Sequence, residues 1–195
     1  MTNNLMHLNS EEMQQNLSSI IKEKSFQKGS TIKLASGKSS SHYFNMKPTM
    51  LDPEGSVLIA NLMLNAVKSF GKKFDAIGGV ELGAVPIASF IAPISQLRGE
   101  PIKAYMIRKK PKDHGTASLV EGLTKDETLN GQNIVIVEDV TTTGGSALKA
   151  IAACRKEGAN IEHIITIVDR EEGATDAFNK EGIQLTSLFS ASDFL

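Results

Sequence analysis

Two adjacent carboxylates followed by hydroxyl and glycine residues form the segment of the sequence best suited to chemistry. Glu138 and Asp139 follow the apolar run 134–137 and precede Val140, Thr141, Thr142, Thr143, Gly144, Gly145 and Ser146. Hydroxyls and glycine N–H groups at the start of a helix can surround a phosphate, and the helix dipole favours the anion. The carboxylates would repel that phosphate, so we expect them to bind ribose hydroxyls or to act through a metal ion. The segment predicts a sugar-phosphate site.

The same segment excludes two other phosphate-binding loops. It contains no Gly-Lys-Ser/Thr, which a Walker loop requires, and no Gly-x-Gly-x-x-Gly dinucleotide fingerprint. The alternative interpretation is a loop whose threonines cap a helix and whose acids are solvated. Two acids directly after a buried strand favour the binding site, because ligands bind at the carboxyl ends of strands in open α/β sheets.

A dense group of cations occupies residues 108–115. Its residues are Arg108, Lys109, Lys110, Pro111, Lys112, Asp113, His114 and Gly115. A charge run is usually a solvated loop, but no amphipathic pattern uses these charges, and the nearby glycine and hydroxyl residues are typical of a mobile loop. Cations there would stabilise a departing pyrophosphate, and loop closure would exclude water.

Both segments resemble those of type I phosphoribosyltransferases, and the second is similar to the catalytic loop Arg-Lys-x-x-Lys-Asp-His-Gly of the orotate branch. The resemblance implies that phosphoribosyl pyrophosphate (PRPP) is bound by residues 138–146 together with Arg108, Lys109, Lys112 and His114. It implies catalytic roles for Lys112, His114, Glu138 and Asp139. It also implies a homodimer in which the loop at 108–115 is shared across subunits.

The resemblance extends to a base-binding side. Ser36-Gly37-Lys38-Ser39-Ser40 and the pair Tyr43-Phe44 resemble the family's loop and aromatic residues near orotate. The orotate-binding residues implied are Lys38, Tyr43, Phe44, Thr142 and Arg170. Without the resemblance, Tyr43 and Phe44 are more often core residues of a strand, and Arg170 is a surface arginine.

The sequence departs from the best-known members of the branch at two positions. Ala35 stands where those members have a lysine before Ser-Gly, and Glu81-Leu82-Gly83-Ala84 holds no lysine where they have Tyr-Lys. Glu81 beside a polyanion is unfavourable unless it points away or meets Mg²⁺ through water. The pyrophosphate contacts of residues 80–84 are therefore left open.

The resemblance implies Mg²⁺-dependent transfer of a phosphoribosyl group from PRPP to orotate in pyrimidine biosynthesis. The metal is expected to be held mainly by PRPP and water, with no direct ligand from the protein. Two alternatives remain. One is a transferase of the same fold that acts on a purine or uracil, which would lack the cationic loop. The other is a regulator that binds PRPP as an effector and then binds nucleic acid, which would carry a basic face.

The elements that must position these residues alternate between strand and helix. Predicted strands cover 74–79, 102–107, 133–137, 161–168 and 183–189; predicted helices cover 83–97, 146–156 and 175–180. Asn9 with Glu12 predicts a helix to Lys24, and Asp52-Pro53 predicts another helix start. The alternation predicts an α/β fold with a mostly parallel central sheet flanked by helices. Residues 1–45 are expected to form a small N-terminal cap on a core of residues 46–195.

Composition narrows the remaining possibilities. Of 195 residues, 41% are hydrophobic, so a real core is possible. The net charge of −1 argues against broad nucleic-acid binding, which needs a dense positive surface. One cysteine permits no internal disulfide framework. No run of about 18 apolar residues occurs, so we expect no membrane partner and a cytoplasmic location.

Overall fold

Alternating strands and helices make up most of the chain. The computed structural model describes residues 5–33, 39–109 and 119–195. In chain order its elements are α1 (Ser10–Lys24), β1 (Phe26–Lys33), β2 (Ser39–Phe44), α2 (Lys47–Met50), α3 (Pro53–Ser69), β3 (Ala76–Val80), α4 (Val85–Leu97), β4 (Lys103–Ile107), β5 (Val120–Glu121), β6 (Asn133–Thr141), α5 (Gly145–Lys156), β7 (Asn160–Asp169), α6 (Ala174–Lys180) and β8 (Gln184–Ser190), with 3₁₀ turns at Leu5–His7 and Ala191–Phe194.

Six strands form the central sheet in the order β5-β4-β3-β6-β7-β8. Every neighbouring pair is parallel except β4 with β5, which is antiparallel. The mostly parallel sheet predicted from the sequence is thus confirmed. Because strand order reverses between β3 and β6, the carboxyl ends of these two strands border the crevice in which such sheets bind ligands.

The buried strand β6 divides its apolar residues between two cores. Val135 and Val137 belong to the cluster formed with α1, α3 and α4. Ile134 and Ile136 belong to the cluster formed with α5 and α6. All four side chains are at most 1% exposed. Helices therefore cover both faces of the sheet, which explains why the run 134–137 shows no polar alternation.

Helix starts follow the sequence signals closely. Asn9 caps α1 in a reciprocal capping box with Glu12. The Asp52 Oδ1 atom accepts hydrogen bonds from the N–H groups of Glu54 and Gly55, both at 3.0 Å, and Pro53 is the first residue of α3. Both predicted helix starts are confirmed.

Three local elements differ from the predictions. Strand β6 runs to Thr141, so Glu138 and Asp139 lie within the strand and not after it. The prediction was wrong because it ended the strand where the apolar run ends. Beyond Val137, β6 pairs only with β7, so its last residues face the crevice and can be polar. The short elements α2 and β5 were not predicted.

The N-terminal region packs on the core. Strands β1 and β2 pair antiparallel with an irregular register between Lys28 and Ile32. Met13, Leu17 and Ile21 of α1 join the same apolar cluster as α3 and α4. The division into a cap of residues 1–45 and a core of residues 46–195 remains our proposal. None of the helices in the described part of the chain is long and apolar enough to cross a membrane.

Candidate active site

An open cleft of about 450 Å³ lies at the carboxyl ends of β3 and β6. It is bordered by the β3–α4 turn, the end of β6 and the start of α5. The residues lining it are Lys47, Glu81, Leu82, Gly83, Lys109, Glu138, Asp139, Val140, Thr141, Thr142, Thr143, Gly144, Gly145, Ser146 and Ala147. The whole predicted PRPP segment 138–146 thus lines a single cleft.

The β3–α4 turn presses against the carboxylate of Asp139. A Cβ atom built on Gly83 would lie 2.7 Å from both Asp139 carboxylate oxygens. A real Cβ atom does not approach that closely, so only glycine fits at this position without displacing the carboxylate. The Asp139 Oδ1 atom also accepts the N–H of Val140 at 2.9 Å. The carboxylate is therefore held between the turn and its own strand.

The neighbouring carboxyl of Glu138 is only partly exposed in the cleft. Its pKa is raised to about 8, chiefly by burial and next by the charge of Asp139, while Lys109 acts in the opposite direction. The ionised form of Glu138 is therefore disfavoured beside the Asp139 carboxylate. A cationic ligand, or a ligand carrying a cation, would favour that ionised form.

The start of α5 provides donors for an anion. No described side chain caps this helix, and its first turn contains no acid, so its first backbone N–H groups have no intrahelical acceptor. Gly144 precedes it with φ +76°, and a Cβ atom there would lie 2.8 Å from the Phe178 ring. Thr141 is 3% exposed, and its hydroxyl has no hydrogen-bond partner among the described residues. These groups can bind a phosphate together.

The cationic segment is described only at its beginning. Lys109 lines the cleft. Arg108 is not among the lining residues; its guanidinium lies 3.7 Å from the Glu121 carboxylate, and its N–H donates to the Leu119 carbonyl at 2.8 Å. Lys112 and His114, and Lys38 on the predicted base side, lie outside the described residues.

Among the predicted base-binding residues that the structure describes, Thr142 lines the cleft, whereas Tyr43, Phe44 and Arg170 do not. Arg170 follows β7, and its N–H donates to the Thr141 carbonyl at 2.9 Å. Its buried guanidinium pairs with Glu172 at 2.9 Å. Desolvation, followed by the nearby charge of Arg170, lowers the pKa of His42 on β2. His42 of β2 and Arg170 are therefore close enough to interact, next to the end of β6.

Tyr43 and Phe44 occupy different environments. Phe44 is 4% exposed and packs on Phe26 and Phe194, with ring centroids 5.1 and 5.3 Å away. The structure supports the core alternative for Phe44, and the predicted contact of its ring with a base gains no support. Tyr43 is half-buried, and its predicted base contact stays a prediction.

Comparisons with known proteins agree with this geometry. A family model described as a phosphoribosyl transferase domain matches residues 50–183. An orotate phosphoribosyltransferase of Bradyrhizobium sp. (strain BTAi1) is 54% identical over 176 residues, which cover 90% of this chain and 94% of the relative. The chain belongs to the orotate phosphoribosyltransferase family. A family member from Aquifex aeolicus is 46% identical over 84% of this chain and 86% of its own.

Solved structures of the family have the same fold. The orotate phosphoribosyltransferase of Mycobacterium tuberculosis, in complex with PRPP, has a TM-score of 0.75 and 30% identity, covering 93% of this chain and 98% of that one. An adenine phosphoribosyltransferase of Leishmania donovani has a TM-score of 0.67 at 18% identity. The second likeness shows the fold alone, so the fold by itself does not select the base.

Lys47 lines the cleft but was not predicted from the sequence. It is the first residue of α2, whose neighbours Met46, Thr49 and Met50 are each at most 1% exposed. The buried neighbours fix the backbone of α2 and leave the Lys47 side chain exposed. The only sequence signal was the Lys-Pro pair after a strand, which favours a helix start but does not reveal a cleft.

Proposed function

We propose that this chain transfers the phosphoribosyl group of PRPP to orotate, giving orotidine 5′-phosphate and diphosphate for pyrimidine biosynthesis. The observation that carries the proposal is the cleft itself. A helix start that no described side chain caps, and a buried Thr141 hydroxyl with no partner among the described residues, lie in the same cleft as the carboxylates of Glu138 and Asp139. The relatives named for this activity match the chain over most of its length.

The 5′-phosphate is the group we place at the start of α5. Backbone N–H groups of Gly145 and Ser146, the hydroxyls of Thr141 to Thr143, and the helix dipole would bind it. Gly144 permits the left-handed turn that brings the loop to the helix. No acid in the first turn of α5 opposes the anion.

The ribose is the group we place against Glu138 and Asp139. Carboxylates accept hydrogen bonds from the two ribose hydroxyls, and their charge stabilises the positive carbon that develops as diphosphate leaves. Asp139 is held in position by Gly83 and by its own strand. Glu138 would ionise when the cationic sugar or a bound metal ion lies beside it.

The departing diphosphate is the group we assign to Arg108, Lys109, Lys112 and His114. Cations stabilise the charge that accumulates on the leaving oxygens. Lys109 already faces this cleft. A proton for the leaving oxygen would come from Lys112 or His114, whose chemistry allows either assignment.

Mg²⁺ is the cofactor we propose. It would supply positive charge that neutralises the diphosphate. Glu138 and Asp139 fit this ion, because Mg²⁺ is commonly bound by one or two carboxylates, water and substrate phosphates. Within the described ranges, no cluster of three or more His, Cys, Asp or Glu side chains could hold a metal. We therefore propose that PRPP and water supply most of the ligands.

Orotate is the group we place beside Arg170, Tyr43, Lys38 and Thr142. Its carboxylate would compete with Glu172 for the buried Arg170 guanidinium. A bidentate arginine–carboxylate contact neutralises the charge of the carboxylate and also fixes the orientation of the base. A base without a carboxylate would leave Arg170 with Glu172 and would lose this contact.

A homodimer that shares residues 108–115 across subunits is also part of the proposal. Leu82, which lines the cleft, and Leu97, at the far end of α4, are each 73% exposed, and Met106 on β4 is 43% exposed, which leaves apolar surface on the described part of the chain. If the loop acts across subunits, a mixture of Lys112→Ala and Asp139→Asn chains will regain activity that neither variant has alone. No activity in the mixture would contradict sharing.

A cytoplasmic location stays a prediction.

The direct test follows orotate absorbance with the purified protein, Mg²⁺ and PRPP. We expect orotate consumption that depends on both PRPP and Mg²⁺. The competing interpretation, a regulator that binds PRPP as an effector, predicts PRPP binding without orotate consumption. That outcome in folded protein would overturn the proposal.

A further inference from the structure

Glu81 places a third carboxylate in a cleft built for polyanions. It belongs to the turn that follows β3, and it lines the cleft together with Glu138 and Asp139. A negative charge there opposes binding of a diphosphate group unless the carboxylate is engaged elsewhere. The roles assigned above to the cleft residues do not use it.

The contacts of Glu81 join the β3–α4 turn to the beginning of the cationic segment. Its Oε1 atom accepts the backbone N–H of Lys109 at 2.6 Å. Its own backbone N–H donates to the carbonyl of Ile107 at 2.8 Å. One residue therefore holds the chain on both sides of Arg108, just past the end of β4.

The side chain of Lys109 faces the cleft from this fixed backbone. It is exposed, and it is one of two cationic residues among the described residues that line the cleft. Its charge also reaches Glu138, where it favours the ionised carboxylate. The backbone direction at Lys109, just past the end of β4, decides whether its ammonium can contact a leaving diphosphate.

We propose that Glu81 is a positioning residue that acts through its hydrogen bond to the Lys109 amide and so directs the Lys109 ammonium into the cleft. This inference rests on the proposed function, since Lys109 is assigned there to the leaving group. It explains why an acid is compatible with a polyanion site: its carboxylate is occupied by a backbone donor. The turn then contributes to leaving-group binding without a lysine of its own.

Two variants separate hydrogen bonding from charge. Glu81→Gln keeps an oxygen that can accept the Lys109 N–H but removes the charge. Glu81→Ala removes both. If Glu81 positions Lys109, the first variant stays close to wild type. If Glu81 instead acts by its charge, for example through water on Mg²⁺, both variants are equally impaired.

The experiment measures kcat, KM for PRPP and KM for orotate in wild type and in the two variants. A hydrogen bond to an ionised group is worth roughly a tenfold change in such constants. We expect Glu81→Ala to lower kcat/KM for PRPP by about tenfold, through a higher KM and a lower kcat. KM for orotate should be unchanged. Glu81→Gln should retain most of the wild-type kcat/KM. Equal impairment of both variants, or no impairment of Glu81→Ala, would overturn the proposal.

A double-mutant cycle shows whether Glu81 acts through Lys109. In a Lys109→Ala background, the further change Glu81→Ala should cost less than about twofold in kcat/KM, because the positioned ammonium is already absent. A full tenfold loss in that background would contradict positioning. Glu100→Ala serves as the matched control, because it removes an exposed carboxylate that pairs with Lys68 and does not line the cleft.

Hydrogen exchange at the Lys109 amide tests the contact without any substrate. Protection should fall in Glu81→Ala and persist in Glu81→Gln. Unchanged protection in Glu81→Ala would overturn the proposal even if the enzyme is active. Absence of orotate turnover in wild type would instead contradict the proposed function. The hydrogen-exchange result would still show whether Glu81 holds the Lys109 amide.

Discussion

At the scale of single residues, the cleft contains two adjacent carboxylates and a buried hydroxyl that the described protein groups do not neutralise or pair. Asp139 is held against Gly83, Glu138 is partly buried beside it, and the Thr141 hydroxyl has no described partner. These arrangements cost stability in the free protein, because buried polar groups are favourable only when they are paired. They favour a ligand that carries hydroxyls, phosphates and a cation together.

The pH dependence of stability reports the state of Glu138. Its pKa is raised to about 8 in the folded protein, from an ordinary value of 4.5. The native state thus binds more protons than the unfolded state between these values, so the contribution of Glu138 to stability is fully present below pH 4.5 and is lost as pH rises towards 8.

We expect ligand-free wild type to lose stability relative to Glu138→Gln as pH rises from about 4.5 to 8. Urea denaturation at several pH values measures this difference. Parallel stability profiles for the two proteins would show that Glu138 titrates normally, which would contradict the burial described here.

Lys47 is expected to contribute to binding of PRPP. It lines the cleft, whose described lining residues include three carboxylates and only one other cation, Lys109. Lys47→Ala should raise KM for PRPP several-fold, since a cation near a phosphate strengthens binding. Lys73→Ala, an exposed lysine outside the cleft, is the control. Equal KM values in the two variants would exclude the contact.

At the scale of elements, the starts of α1 and α3 could be predicted from sequence. The cap of Asn9 and Glu12, and the pair Asp52-Pro53, are local signals that need no tertiary information. The run 134–137 likewise predicted a buried strand. The end of β6 could not be predicted, because Glu138 and Asp139 are polar residues in a strand whose far edge is exposed to the crevice.

Asp52 gives a stability prediction for α3. Its carboxylate accepts two backbone N–H groups and pairs with Lys24, and the hydrogen bond from Lys24 is the largest of the effects that lower its pKa. Asp52→Ala should reduce the free energy of unfolding by about 1 kcal/mol, the usual value of a lost N-cap. Chemical denaturation measures it.

Glu54→Ala is the matched control for the cap, since Glu54 has a carboxylate in the same turn but does not accept the capping hydrogen bonds. We expect it to change stability by less than half as much. If the two substitutions cost the same, the loss would come from charge near the helix start and not from the cap.

At the scale of the whole molecule, topology brings together residues that are far apart in the sequence. Lys47, Glu81, Lys109 and segment 138–147 come from four connections and meet at the carboxyl ends of two adjacent strands. The sequence could predict segment 138–146, because its residues are contiguous. It could not predict Lys47 or the Glu81–Lys109 contact, because both depend on which loops the sheet order makes neighbours.

The choice of base belongs to the scale of the whole molecule, since the proposed base-binding residues come from β2, the end of β7 and the loop after β6. If Arg170 recognises a carboxylate, a base that lacks one leaves this contact unmade. Recognition by a site built for a polar group commonly discriminates by a factor of at least about a hundred. The fold alone does not decide the matter, since an adenine phosphoribosyltransferase has it too.

The most direct test measures kcat/KM for orotate, uracil, adenine, hypoxanthine and guanine with PRPP and Mg²⁺ under identical conditions. We predict that orotate exceeds every other base by at least about a hundredfold, and that Arg170→Ala removes most of this preference. A higher kcat/KM for uracil or a purine, or PRPP binding with no turnover of any base, would contradict the assignment.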